Sequence, residues 1–204
     1  MTQSKREATR QRLADAALAL FLESGFDNVT VDQIAKAAGV SRRTFFRHFN
    51  SKEKVVFPFT DARIQAYRDL VRAQTNGQAA TFSNLKVVFS QIVQSWLDNE
   101  DRMMRSRKIV AQSSILMAYD HDVTAKWEHA IGLELDGPPT NHPGEIGMPS
   151  LRARMVAGML VGVMRPVFIH WYDTEGKSDL VGQGEEALDL VERGLGSLEE
   201  FLTG

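Results

Sequence analysis

Residues 30–49 read as two short helices hinged on a glycine, the second crowded with cations. Thr30 is placed to cap the first helix, and Gln33, three residues on, completes a capping box. Val31, Ile34, Ala35 and Ala38 recur at helical spacing and give one apolar face. Gly39 supplies the positive φ of a tight reversal, Val40 is apolar enough to plug the space between the helices, and Ser41 caps the second. Phe45 and Phe49, four apart, face inward. Arg42, Arg43, Thr44, Phe46, Arg47 and His48 are left for the other faces.

A helix that presents its N-terminal turn to a major groove puts such residues on base edges and phosphates. An ordinary amphipathic hairpin with a solvated basic face has the same spacing, so the pattern alone leaves both open. Charge distribution favours the first. The formal net charge of the 204 residues is only −2. Residues 1–54, however, hold 10 Lys and Arg against 6 Asp and Glu, and the remainder 14 against 20. The basic charge is concentrated around the hairpin.

No cysteine is present, which removes disulfides, thiolate metal sites and cysteine nucleophiles and fits a reducing cytoplasm. The N-terminus is charged and amphipathic, without the apolar stretch of a signal peptide. The apolar run 155–164 is too short to span a bilayer, so no membrane partner is expected and a cytoplasmic protein is.

Helical periodicity runs through almost the whole chain, and no alternating strand pattern appears. The expected fold is all-α, with about nine helices. Residues 1–54 form a helix-turn-helix domain, and residues 55–204 a larger ligand-binding and dimerisation domain. A first helix spans residues 5–24. After the hairpin, Asn50-Ser51 caps a fourth helix that continues through a kink at Pro58 to residue 73. Further helices are expected at 82–97, 102–117, 123–135, 150–171 and 180–202, with a loop over the Gly- and Pro-rich residues 136–144.

In the last helix Leu188, Val191, Leu195, Leu198 and Leu202 recur at steps of three and four, with acidic residues on the remaining surface. Gly158 and Gly162 lie four apart in the preceding helix and allow a neighbouring backbone to approach. The two helices are therefore expected to build a four-helix interface of a twofold dimer through Gly158, Gly162, Leu188, Val191, Leu195 and Leu198. Packing of the same seams inside one chain is the alternative.

Residues 5–57 resemble the DNA-binding domain of the TetR family of transcriptional regulators. The resemblance rests on the N-terminal helix, the box from Thr30 to Ala38, the turn Gly39-Val40-Ser41, the aromatic third helix ending His48-Phe49, and Ser51-Lys52-Glu53. It covers about a quarter of the chain; beyond it only helix number and order are similar. Two departures stand out: Arg43 replaces the Gly or Pro frequent in the family, and Phe46 replaces a frequent Tyr. The resemblance implies DNA contacts at Thr30, Arg42, Arg43, Thr44, Phe46, Arg47, His48 and Lys52, and a homodimer on double-stranded operator DNA, with repression the usual mode. The segments 44–49, 52–53, 55–56, 165–171 and 188–195 are further similar to the branch of mycofactocin-type regulators, which implies a C-terminal domain that takes acyl-CoA-like ligands.

A small apolar or acyl-CoA-like effector would find aromatic and methionine side chains in the C-terminal region, with Phe89, Trp96, Ser113, Met117, Trp127, Met155, Met159 and His170 as the candidate lining. Arg102, Arg105, Arg107 and Lys108 offer positive charge to its phosphates, or form a solvated face. No catalytic set, metal site or cofactor is expected. His121 and His129 are eight apart without a third ligand, and the glycines at 182–184 and Gly176-Lys177-Ser178 lack the strand context of nucleotide loops. A helical scaffold protein without sequence-specific DNA binding remains the competing class.

Overall fold

The computed structural model describes residues 2–137 and 147–195. Among them it shows nine α-helices and no strand: α1 (Thr2–Ser24), α2 (Val31–Ala37), α3 (Arg42–His48), α4 (Thr60–Thr75), α5 (Phe82–Leu97), α6 (Glu100–Val110), α7 (Ser114–Asp136), α8 (Leu151–Asp173) and α9 (Leu180–Leu195). Two compact units emerge, Met1–Thr60 with Asp101–Asp122, and Asp61–Glu100 with Val123–Gly204.

The first unit closes around Leu13, Ala17, Phe21, Ile34, Phe45 and Phe49, all from α1, α2 and α3 or its end. Ile109, Val110 and Leu116 from α6 and the start of α7 are buried in the same core. Arg102 of α6 pairs with Asp15 of α1, and Phe57 stacks on Tyr119 with ring centroids 5.3 Å apart.

Two expected boundaries move. The helix foreseen from Asn50 is only a 3-10 turn, Glu53–Val55, and α4 starts at Thr60. Pro58 has no N–H to give and turns the preceding residue away from helical geometry, so it separates the two segments instead of kinking one. The helix foreseen at 102–117 ends at Val110, and α7 begins already at Ser114. The Ser113 hydroxyl accepts the Leu116 N–H at 3.4 Å across that corner.

In the second unit α8 packs on α9 and α9 on α5. The core holds Tyr67, Val71, Leu85, Val88, Ile92, Leu160, Met164, Leu188 and Val191. Leu188 and Val191, read from the sequence as a seam for a partner chain, are thus buried within their own chain. A stripe of apolar residues demands cover but does not say who provides it. Of the other seam residues, Leu198 lies outside the described residues, and Gly162 is exposed, with open space where a Cβ would stand among the described residues. At Gly158 a built Cβ stands 3.4 Å from a Glu128 carboxylate oxygen. The close approach occurs instead at Gly184 of α9, where a Cβ would collide with the Phe89 ring of α5.

By length and composition α8 passes as a membrane span, contrary to the sequence expectation. Its Ala153, Ala157, Leu160, Met164 and Trp171 are buried in the protein, while Leu151, Met155 and Met159 are exposed.

Candidate nucleic-acid interface

Local chemistry fixes the hairpin. The Thr30 hydroxyl accepts the Gln33 N–H at 3.3 Å, and the side-chain Oε1 of Gln33 accepts the Thr30 N–H at 2.7 Å, which closes the capping box on α2. Gly39 takes φ +67°, and Val40 N–H returns to the Ala35 carbonyl at 2.9 Å. Ser41 Oγ accepts the Thr44 N–H at 3.1 Å and starts α3. Because Phe45 and Phe49 are sunk in the core, the rotation of α3 about its axis is set. Arg42, Arg43, Phe46 and Arg47 are then exposed on the outside of the helix.

The exposed side chains are partly organised. Arg42 forms a 2.6 Å ion pair with Asp32 of α2, and its guanidinium lies over the Phe46 ring, 5.5 Å from the centroid. Phe46 meets Phe45 edge to face at 5.4 Å. Asp32 was not singled out by its sequence position, since nothing in a spacing of ten residues across a turn marks an ion pair.

Three expected contact residues sit differently. His48 is buried, with Nδ1 unpartnered, and burial, followed by the charges of Arg47, Arg6 and Arg10, holds its pKa below the ordinary histidine value. It belongs to the interior of the unit and not to the exposed face. Lys52 donates to the carbonyls of Phe26 and Val29 at 2.7 and 3.0 Å and covers the Phe26 ring. It ties down the link between α1 and α2. Thr44 is half-buried and shares a 3.0 Å hydroxyl contact with Ser41.

Arg10 of α1 is not among the contact residues that the sequence implies. The structure gives it a structural role: it donates to the His48 carbonyl, donates to the Pro58 carbonyl at 2.6 Å, and covers the Phe49 ring. One guanidinium therefore satisfies a carbonyl at the end of α3 and anchors the loop before α4.

The eight residues foreseen as an effector lining do not come together. Ser113 and Met117 fall in the first unit, the former buried at the α6–α7 corner and the latter exposed. Met155, Met159 and His170 are exposed on α8. Phe89, Trp96 and Trp127 do pack against the core of the second unit. There Trp127 lies 5.8 Å from both Tyr67 and Trp96, and Trp96 lies 5.5 Å from Phe168. The Tyr67 hydroxyl is buried without a hydrogen-bond partner, and that burial, with the Glu134 charge second, raises its pKa. Arg102, a candidate for ligand phosphates, is taken up by Asp15 and lies over the Phe59 ring.

The sequence model described as "Bacterial regulatory proteins, tetR family" matches residues 13–57, the helix-turn-helix and its lead-in. The putative mycofactocin biosynthesis transcriptional regulator of Mycobacterium tuberculosis is 29% identical over 201 residues, covering 96% of each chain. A shorter match, 41% over 78 residues, links 38% of this chain to 34% of the transcriptional regulator TcmR of Streptomyces glaucescens. Among solved structures, the TetR-family repressor FadR of Thermus thermophilus, in complex with lauroyl-CoA, has a TM-score of 0.62 at 22% identity over 91% of this chain and 94% of its own. NalD of Pseudomonas aeruginosa, a repressor of a multidrug efflux pump, has 0.59 at 20% identity over 94% and 97%. Residues 13–57 thus carry the DNA-binding domain of the TetR family, and over its length the chain is similar to transcriptional regulators of that family.

Proposed function

We propose that the protein is a cytoplasmic repressor that binds a palindromic operator as a homodimer and leaves it when a small apolar or acyl-CoA-like effector is bound. Residues 1–54 supply the DNA contacts, and residues 55–204 take the effector and the second copy. The observation that carries the reading is the exposed face of α3, where Arg42, Arg43, Phe46 and Arg47 stand on a helix whose rotation is set by buried phenylalanines. Thr30 stands at the exposed cap of α2, where free N–H groups attract phosphate.

A second copy is supported by the apolar residues left open on the outer side of the second unit. Leu151, Met155 and Met159 follow one face of α8 with Gly162, and Leu190 is exposed on α9. Two half-sites about 34–36 Å apart, or at a multiple of that, suit such a dimer. The acyl-CoA class is supported by the lauroyl-CoA in the Thermus protein. Within this chain, the rings of Tyr67, Trp96, Trp127 and Phe168 offer apolar surface to an acyl end, and the buried Tyr67 hydroxyl, which lacks a partner, offers a hydrogen bond to a polar group of the effector.

Fluorescence anisotropy on DNA upstream of the protein's own gene, against scrambled DNA at two salt concentrations, tests the first half. Saturable binding tighter than to the scrambled duplex supports the repressor; equal, salt-sensitive binding to both reveals charge attraction alone. Addition of lauroyl-CoA tests the second half. It must lower DNA affinity, and DNA must lower lauroyl-CoA affinity by the same factor.

A further inference from the structure

Phe46 is an exposed aromatic ring among three arginines, 45% accessible, on the face that is proposed to meet DNA. It offers no hydrogen bond. Its packing against Phe45 directs the ring outward, and Arg42, one turn earlier on the same side of α3, covers it. Arg42 is in turn held by Asp32, and both partners of that pair are about 60% exposed (60% and 61%). A carboxylate at this place weakens the attraction to phosphates. An open ion pair of this kind also contributes little to folding. What Asp32 does supply is order: an arginine pinned from behind and stacked in front loses less rotamer freedom when it meets a base.

We infer that Phe46 reads the C5-methyl group of a thymine and that Asp32 is a positioning residue, presenting Arg42 to a guanine within one or two base steps of that thymine. The inference rests on the docking of α3 in the major groove and deepens that reading into a specificity. In that groove the thymine methyl is the one apolar group that the base edges display, and the O6 and N7 atoms of guanine match a guanidinium in two hydrogen bonds. The Asp32–Arg42–Phe46 arrangement thus reads two adjacent features with one preformed unit.

The test uses the full chain and a duplex that it selects from a random library. Each thymine of that duplex is replaced in turn by deoxyuridine, which removes only the methyl. At one thymine per half-site the replacement weakens wild-type binding about fourfold, the worth of one buried methyl. The Phe46→Ala protein shows no such penalty, and Phe46→Leu retains part of it. Asp32→Asn loses about fivefold or more of the preference for the neighbouring guanine. It leaves the salt slope and the melting temperature nearly unchanged, and binding to random DNA does not fall. Selective binding that ignores every thymine methyl, or a methyl penalty that persists in Phe46→Ala, overturns the role of Phe46. An Asp32→Asn protein with an unaltered base preference overturns that of Asp32. A selection that enriches no duplex overturns the DNA-binding reading itself, and this inference with it.

Discussion

His48 ends α3 with its imidazole inside the protein, Nδ1 without a partner and three arginine charges nearby. Burial first, and those charges second, favour the neutral ring, so the folded pKa lies below the unfolded value of 6.5. As pH falls from 6.5 towards the folded pKa, the unfolded chain takes up the proton and the folded one resists it. The stability due to the neutral ring is complete above 6.5, is lost through that window, and is not lost further below it. Melting temperatures followed from about pH 7.5 to 5 should fall more steeply for the wild type than for His48→Gln. Parallel curves would show that His48 is protonated as easily in the fold as outside it. Beside it, Arg10 has carbonyl partners on both sides. Arg10→Met keeps the stem and removes the charged hydrogen bonds. It should cost about 1.5–3 kcal/mol in urea unfolding and reduce binding to selected and random DNA alike, because the whole end of α3 loosens.

Among the elements, the two helices of the hairpin were readable in detail because their determinants are local: Thr30 with Gln33, Gly39 with its positive φ, Ser41 with Thr44. Gly39→Ala should therefore cost about 1 kcal/mol or more in thermal unfolding, since the strain lies in the backbone and not in lack of room. The less local features were not readable. Lys52 and Arg10 bind backbone carbonyls 23 to 48 residues away, and no side-chain pattern advertises a carbonyl. The α9 stripe was visible as apolar, but at Leu188 and Val191 its cover came from α5 and α8 of the same chain. Composition likewise suggested one lining of aromatic and methionine residues where the fold distributes them between two units. Glu134 is a further case: it is buried on α7 between Arg68 at 2.7 Å and Arg72 at 3.2 Å of α4, and its own carbonyl accepts the Ala80 N–H. Both arginines reach solvent, which moderates the effect. Glu134→Gln should destabilise the protein by about 1–2 kcal/mol, read as a lower urea midpoint, with Arg68→Gln alone giving less.

For the molecule as a whole, the chain runs into and out of its first compact unit twice, since Met1–Thr60 and Asp101–Asp122 belong together. A DNA-binding domain that ends near residue 54 is sufficient to describe the motif but not its core. Ile109, Val110 and Leu116 fill that core, with Leu116 fully buried. Each such aliphatic side chain is worth about 1.5–3 kcal/mol on burial, and three together approach the whole stability of a small domain, about 5–15 kcal/mol. A fragment of residues 1–60 should therefore melt broadly and without cooperativity in circular dichroism, where the full chain gives a sharp transition. Loss of the Asp15–Arg102 pair and of the Phe57–Tyr119 stack acts in the same direction. Leu116→Ala in the full chain separates this argument from a mere effect of length. It removes no backbone, should cost about 2–5 kcal/mol, and should lower affinity for selected and random DNA together. A sharply melting 1–60 fragment, or a Leu116→Ala protein as stable as the wild type, would mean that the hairpin core closes without α6 and α7. With the expected result, any effector that reorders residues 61–100 or those beyond 122 acts on a DNA-binding unit joined to them at three points of the chain.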